Sequence, residues 1–537
     1  MMRAAGRAAR LRRGTVLILG AAVYALLYAL CSQIDESGSV AGEQVLPRFA
    51  LAFPAALAVL AVLALLFRFV MPRLERGGTA EKGKPFFAPG AFAFLMACYG
   101  AMFLIQYPGS FMYDTQRQVY QIARGEYEMF HPLLHTLLIR ACLSAVDILG
   151  SFEKCAALYS VLQLTLVAAC FAQVCASVAR VHGRRAAVLS ALFFGLYPSH
   201  MAFASNCTKD GLFSAFFALF FSLCFEEALT GGLSAPRRAL RLAAGVLACL
   251  LRNNMVYALA VWCACVLLFG RRTRRLAVCG VLAIALGCGV NGLLQRATDA
   301  KDGSVIEMFS IPIQQLSRAR LMAPECFTPE DEALMDEVFV DALYGESDAL
   351  YERYEPTLAD PVKNYLDEAL VKARFSELAS MWLRVGARCP GVYLDAFLNL
   401  ALPSLYPYSQ YRVAQPYIET GLQPGVVTAP FGQPPMTQPA RFEGVRSWLY
   451  EHIYKTGADD VPVIRYLFNT GFVFWVLLMI VLYELYSGNG RRFLLLLLPV
   501  LLWGTYLLGP VMQGRYLYPF ICVLPLFVFR TAKNQMQ

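Results

Sequence analysis

The sequence is poor in charge, poor in histidine, and without the two-residue alternation of apolar and polar side chains that marks exposed strands. Only 16% of its 537 residues are Asp, Glu, Lys or Arg, and 5 are His. A soluble chain carries about a quarter charged residues, so this composition leaves too little polar surface to clothe a water-soluble fold. The missing alternation excludes a membrane β-barrel, whose strands point side chains by turns to lipid and lumen. No Cys or His set stands at zinc-site spacing, and there is no internal repeat. The 16 cysteines lie mostly inside apolar runs (Cys98, Cys142, Cys170, Cys224, Cys249, Cys263, Cys279), where a thiol serves as a small hydrophobe. Cys326 and Cys389 alone fall in a large hydrophilic segment, and a bridge between them stays open.

What is present is a series of long apolar runs. A hydrocarbon core takes roughly 17 to 25 helical residues to cross, and the runs must be helical because lipid offers backbone N–H and C=O groups no partner. Candidate spans are Gly14–Cys31, Ala50–Val70, Pro89–Tyr107, Lys154–Ala179, Ala186–Ala204, Thr208–Leu229, Leu276–Gly292, Ile464–Tyr486, Phe493–Met512 and Arg515–Phe529. No small-residue cleavage site follows the first run, so it reads as a span and not as a signal peptide. Leu240–Gly270 is too long for one crossing and carries Arg252-Asn253-Asn254 at its middle; it reads as two short helices meeting there.

Lys and Arg in short loops mark the cytoplasmic side. Arg3, Arg7, Arg10, Arg12 and Arg13 place the N-terminus inside, with the segments Arg73–Lys84, Arg180–Arg185, Arg237–Arg241, Arg271–Arg275 and Arg491–Arg492. These agree if His131–Gly150, which carries His131, His135, Arg140 and Asp147, is re-entrant or interfacial. The expectation is an all-α polytopic protein of a bacterial cytoplasmic membrane, with about 12 transmembrane helices and both termini cytoplasmic. The chain divides into a transmembrane region 1–292 with a first outer loop 108–130, an extracytoplasmic domain 293–463, and a transmembrane region 464–537. The middle segment holds 24 acidic and 14 basic residues against 14 and 33 elsewhere. That domain reads as partly helical. Thr328-Pro329 and Asp360-Pro361 look like N-caps followed by proline. Val362, Tyr365, Leu366, Ala369 and Leu370 fit one buried helix face, and Tyr406–Pro439 is proline- and glycine-rich irregular chain.

Four places carry residues suited to chemistry. In the first outer loop, Asp114 opens an amphipathic helix containing Gln118 and Gln121 and ending near Gly125. A partly desolvated carboxylate there has a raised pKa and is a better general base; an N-cap is the plainer role for such an Asp. His131 and His135 stand four apart, as on one helix face, and read as interfacial hydrogen bonders more readily than as metal ligands. Lys209 and Asp210 stand where a span begins at the outer boundary, and Lys209 either holds a lipid phosphate or snorkels to headgroups. Arg252 is a charge between apolar runs, a functional candidate by default. Arg515, beside Gln513 in the last outer turn, goes against the positive-inside bias, and its guanidinium suits a phosphate. Together Lys209, Arg252 and Arg515 are expected to converge beside Asp114, with Tyr113, His131, His135, Asp210 and Gln513 lining the site.

The order of these features resembles the GT-C fold of membrane glycosyltransferases, which includes protein O-mannosyltransferases and the aminoarabinose transferases of lipid A. Within that superfamily the chain is most similar to an uncharacterised family of large bacterial membrane proteins, through Ser310-Ile311-Pro312-Ile313-Gln314-Gln315, Asp360-Pro361-Val362-Lys363 and Gly514-Arg515-Tyr516, over a stretch from about Tyr107 to the C-terminus. The resemblance implies transfer of a sugar from a polyprenyl-phosphate donor to an extracytoplasmic lipid, glycan or protein acceptor. Asp114 would be the base, with Lys209, Arg515 and Arg252 as phosphate ligands. Relatives often carry two adjacent acidic residues where this chain has Asp114-Thr115, so a divalent metal is not required by the sequence. A transporter or flippase of a lipid-linked sugar is the rival reading, and a non-catalytic envelope assembly factor a third. Neither the composition nor the charge calls for nucleic acid.

Overall fold

The helix Lys209–Thr230 is the axis of the molecule, and 89% of its most apolar window is buried. Phe213, Phe217, Phe221 and Phe225 recur every four residues and so lie along one face. Their rings follow one another at 6.0, 6.0 and 6.3 Å. Around this helix pack Phe152–His182, Ala235–Leu251 and Tyr518–Val528. A helix apolar on every side belongs in a core or in lipid, and this one has the core position.

This computed structural model describes residues 2–69, 88–270, 273–339, 353–409, 440–454 and 461–529. The expected basic loop Arg73–Lys84, the Arg271 end of another, and the proline-rich stretch beyond Ser409 lie outside the described residues. Among the described residues the chain is all-α apart from a two-residue parallel pair, Ser110–Phe111 with Asn206–Cys207. Seven helices among the described residues are long and apolar enough to cross a membrane: Ala9–Ser37, Val45–Leu66, Ala88–Ile105, Phe152–His182, Lys209–Thr230, Arg274–Thr298 and Thr470–Ser487. An eighth is added if Arg184–Leu196 and Pro198–Ser205, which meet at a 59° bend, count as one crossing. The protein is thus a helical membrane protein. In Val45–Leu66 only 6% of the window is buried, so its side chains are left for lipid.

Several expected spans change shape for identifiable reasons. Ala186–Ala204 breaks because Pro198 starts a new helix behind the extended Tyr197. The long run around Arg252 divides into Ala235–Leu251 and Asn253–Phe269, with Arg252 extended between them. Ile464–Tyr486 starts late: the Asn469 side chain accepts from Phe472 N and caps a helix beginning at Thr470. The apolar part of His131–Gly150 gives the 11-residue helix Leu133–Leu143, about 16 Å long at 1.5 Å per residue and too short to cross.

Four segments gather at one end of the bundle. Gly38 O accepts from Asn399 Nδ2 at 2.8 Å, and Asp395 receives Ser39 Oγ and Val40 N, each at 2.7 Å. Met129 N donates to Lys301 O at 2.9 Å, and Ala359 N to Pro510 O at 2.8 Å. The first turn, the loop 108–130, the hydrophilic segment and the last turn therefore share a face. At the opposite end sit other ion pairs, Glu226 with Arg237, Glu227 with Arg241, and the fully buried Glu484–Arg492 pair at 3.0 Å.

The hydrophilic segment has its own core, built on Ile313, Leu316, Met335, Val338, Met381 and Val385. Helix Arg274–Thr298 runs past residue 293, so this segment starts after Thr298. Thr328 caps Pro329–Val338 with a reciprocal Asp331 bond. The single helix face read over Val362–Leu370 is two short turns, because the Asp367 side chain caps a fresh start at Glu368. Cys326 and Cys389 are both buried in this core as free thiols.

Candidate functional site

Two close approaches bring the first outer loop onto the start of the axial helix. Gly109 has φ +128°, a conformation that L side chains rarely adopt, and a Cβ there would strike Ser160 Oγ. It lets Ser110–Phe111 pair in parallel with Asn206–Cys207. At Gly211 a Cβ would stand 2.5 Å from Phe203 O, so glycine lets two helices turn tightly on each other. Thr208 caps the axial helix, its hydroxyl accepting from Asp210 N at 3.3 Å. Lys209 and Asp210 thus occupy the first turn, where the helix dipole favours the Asp210 carboxylate.

The helix Tyr113–Arg124 runs beside that turn, ending at the left-handed Gly125. Asp114 Oδ2 receives Lys209 Nζ at 2.6 Å and Arg515 Nη1 at 2.8 Å. Lys209 Nζ also donates to His131 Nδ1 at 3.1 Å. Asp210 Oδ1 receives Arg252 through Nε at 2.8 Å and through Nη2, while Oδ2 lies 3.4 Å from Arg515 Nη1. Arg515 Nη2 donates to Tyr113 Oη at 2.7 Å, and Tyr113 Oη donates in turn to Gln513 Oε1 at 3.2 Å. The rings of Tyr506 and Tyr516 stack at 4.7 Å. Arg252 lies 5.2 Å from each, and Arg515 lies 5.3 Å from Tyr516 and 5.4 Å from Tyr113. Five charges from four distant parts of the chain form one cluster.

The cluster is buried yet holds three cations against two carboxylates. Asp114, Lys209 and Arg515 are 7, 8 and 8% exposed, and Asp210 is 1% exposed, whereas Tyr113 at 42% makes an open rim. Burial pushes the Asp114 carboxyl up, but Lys209 and Arg515 reverse this and hold it well below the usual carboxylate range. Burial and the Lys209 ammonium hold His131 well below its usual value, so the imidazole is neutral at pH 7. Among the described residues, two buried polar atoms of the cluster lack a partner, His131 Nε2 and Arg515 Nε. An excess of one positive charge with unsatisfied nitrogen atoms suits an oxyanion.

Three expectations at this site change. Asp114 does not cap its helix: Met112 is the N-cap, and Asp114, inside the first turn, reaches sideways to the cations. A burial-raised base is also not what stands there, because two cations outweigh burial. His131 and His135 do not share a helix face, because the residue before a proline avoids the α region and the helix opens only at Leu133 behind Pro132. His131 turns to Lys209. His135 spends both ring nitrogens elsewhere, on Gln118 Oε1 at 2.9 Å and Tyr159 Oη at 2.6 Å. Tyr506 gave no signal inside an apolar run, and His135 joins Gln118 to Tyr159 and so to Gln163 in a buried chain that periodicity did not expose. Among the described residues no three His, Cys, Asp or Glu side chains converge as a metal site would need.

No curated protein and no solved structure matches this chain. A family model does, over residues 128–537, which takes in His131, Lys209, Asp210, Arg252 and Arg515 and begins after Asp114. The chain belongs to that family, described as a family of unknown function (DUF6020).

Proposed function

We propose that this protein is a GT-C-like membrane glycosyltransferase that moves a sugar from a polyprenyl-phosphate donor to an acceptor in the cell envelope. The observation that carries the reading is the buried cluster of Lys209, Arg252 and Arg515 around Asp114 and Asp210, one positive charge in excess. Uncompensated buried charge is costly, and a phosphodiester entering the cluster would neutralise it. About 12 crossings follow if the bent pair and the shorter helices Ala235–Leu251, Asn253–Phe269, Gly490–Tyr506 and Tyr518–Val528 are counted with the seven. The cluster then lies at the extracytoplasmic end, with the acidic segment.

In this scheme the acceptor oxygen attacks the anomeric carbon on the face opposite the phosphate. The carbon–oxygen bond to phosphate breaks, its electron pair leaves on the polyprenyl phosphate, and the acceptor proton passes to Asp114. Lys209 and Arg515 stabilise the charge growing on the leaving phosphate, and Arg252 holds Asp210 beside them. The depressed pKa of Asp114 comes from its ion pairs with Lys209 and Arg515. A bound phosphate competes for both cations, burial then dominates, and the carboxylate becomes a stronger base when substrate is present. Loading the donor thus arms the base.

A transporter is the second reading, favoured by Arg252 at a break between two short apolar helices, a feature of transporter sites. Purified protein in liposomes with radiolabelled polyprenyl-phosphate sugars and envelope extract separates the two. Label should pass to the acceptor with wild type and fall at least about a hundredfold in Arg515→Met. Donor movement between leaflets with no label passed to any acceptor would reject the enzyme.

A further inference from the structure

Three phrases that stand far apart in the sequence, Ser310–Gln315, Asp360–Lys363 and Gly514–Tyr516, meet in one run of hydrogen bonds. Gln314 lies on helix Ser310–Met322 and is 1% exposed. Its Nε2 donates to Glu355 O at 2.7 Å and to Pro356 O at 3.2 Å. Those carbonyls belong to the turn Glu355–Leu358, which Leu358 N closes on Glu355 O at 3.2 Å. Pro356 is second in that turn, where its fixed φ is favoured. Beyond the turn, Leu358 bridges Val511 in antiparallel sense, and Ala359 N donates to Pro510 O at 2.8 Å. Ala359 is also the N-cap of Asp360–Lys363, and the Lys363 ammonium ties this helix to Glu307 at 2.7 Å. On the other strand, Met512 alone separates Val511 from Gln513, which caps the turn Gly514–Tyr516, and Met512 is 1% exposed. That turn carries Arg515 to Asp114.

We infer that Gln314 is a positioning residue: it fixes the turn 355–358, which grips Pro510-Val511 and so sets where Arg515 stands against Asp114 and Asp210. The effect on ligand rests on the phosphate reading above, whereas the grip itself does not. A two-stranded contact this short is marginal by itself, so what orients one side of it matters. One amide nitrogen supplies both donors, and they go to successive carbonyls, which holds the turn in a single orientation. The hydrophilic segment thus acts on the charged cluster through backbone contacts.

The test compares full-length wild type, Gln314→Met and Gln315→Met in detergent micelles, by hydrogen exchange read with mass spectrometry and by farnesyl phosphate binding. Methionine keeps the length and unbranched shape and removes both donors. Gln315 is the control: it stands next in the same helix and bonds Tyr393 O at 3.2 Å and Trp382 Nε1 at 2.8 Å, neither of them in the turn. Gln314→Met should speed exchange across 355–360 and 510–517 and weaken farnesyl phosphate binding about three- to tenfold. Gln315→Met should leave both as in wild type. Coupling between two sites is reciprocal, so in wild type farnesyl phosphate should slow exchange across 355–360. That reading decides the point even if both variants misfold, and an unchanged rate at saturation overturns the role. Wild-type affinity with unchanged exchange at 510–517 in Gln314→Met, or an equal loss in Gln315→Met, also overturns it. No binding by wild type, with faster exchange at 510–517 in Gln314→Met, overturns the phosphate site and leaves the grip standing.

Discussion

Replacing Asp114 by Asn should make the protein bind phosphate more tightly while it transfers sugar more slowly. The substitution keeps the shape and removes one negative charge, so the cluster goes from one excess positive charge to two. Asp114 Oδ2 touches Lys209 and Arg515 at 2.6 and 2.8 Å, so a phosphate on those cations would sit roughly 5 Å from it. Like charges at that distance repel by about 3 kcal/mol at an effective dielectric of about 20. Some of that relief is lost because the unpaired cations relax, and a gain in affinity of about ten- to hundredfold remains. Loss of a general base costs about 10²- to 10⁴-fold in turnover. The variant should also unfold more easily when empty, since breaking a buried pair costs about 3–5 kcal/mol, and phosphate should restore part of that stability. Farnesyl phosphate binding, initial transfer rate and thermal midpoints with and without ligand read all three. A variant that binds less tightly and transfers at the wild-type rate would refute the reasoning.

Other substitutions and pH separate the parts of the account. The Asp114 pKa is depressed by Lys209 and Arg515, so protonation should cut kcat/KM only below the usual carboxylate range. With phosphate on the cations burial lifts it, so the acid limb of kcat should lie at higher pH than that of kcat/KM; identical limbs would count against the arming of the base. His135→Ala should cost about 2–4 kcal/mol in stability, since Gln118 and Tyr159 each lose a buried partner, with farnesyl phosphate affinity unchanged in protein that remains folded. Gly211→Ala forces a Cβ against Phe203 O and should lower both the thermal midpoint and phosphate affinity, because it displaces the turn that carries Lys209 and Asp210. Arg492→Met, at the far end, should cost about 3–5 kcal/mol by breaking its buried pair with Glu484, without changing phosphate affinity.

The broad architecture was legible because lipid allows few solutions. Apolar runs had to be helices, and the break at Arg252 followed from a charge placed between two runs. Helix ends were less legible, since they depend on single side chains. Asn469 and Pro198 act locally, and their effect becomes visible only when the neighbouring turn is known. At the site, Asp114, Lys209, Arg252 and Arg515 stood out as charges at apolar boundaries, and the structure brings all four together. Pairing was not legible: nothing in the sequence says that Arg252 takes Asp210 while Lys209 and Arg515 share Asp114. That pairing sets the sign of the Asp114 shift, so a reading from burial alone went the wrong way. His131 and His135 were joined by spacing, and Pro132 between them was the signal that should have separated them.

The central claim is that an oxyanion on a lipid displaces Asp114 from its cations. Electron cryomicroscopy of the protein in nanodiscs loaded with a polyprenyl phosphate tests it most directly. The account predicts phosphate density within hydrogen-bonding reach of Lys209 Nζ and Arg515, with Arg515 Nη1 drawn away from Asp114 Oδ2 beyond their present 2.8 Å. A lipid phosphate seated elsewhere, with both Asp114 ion pairs intact, would contradict it.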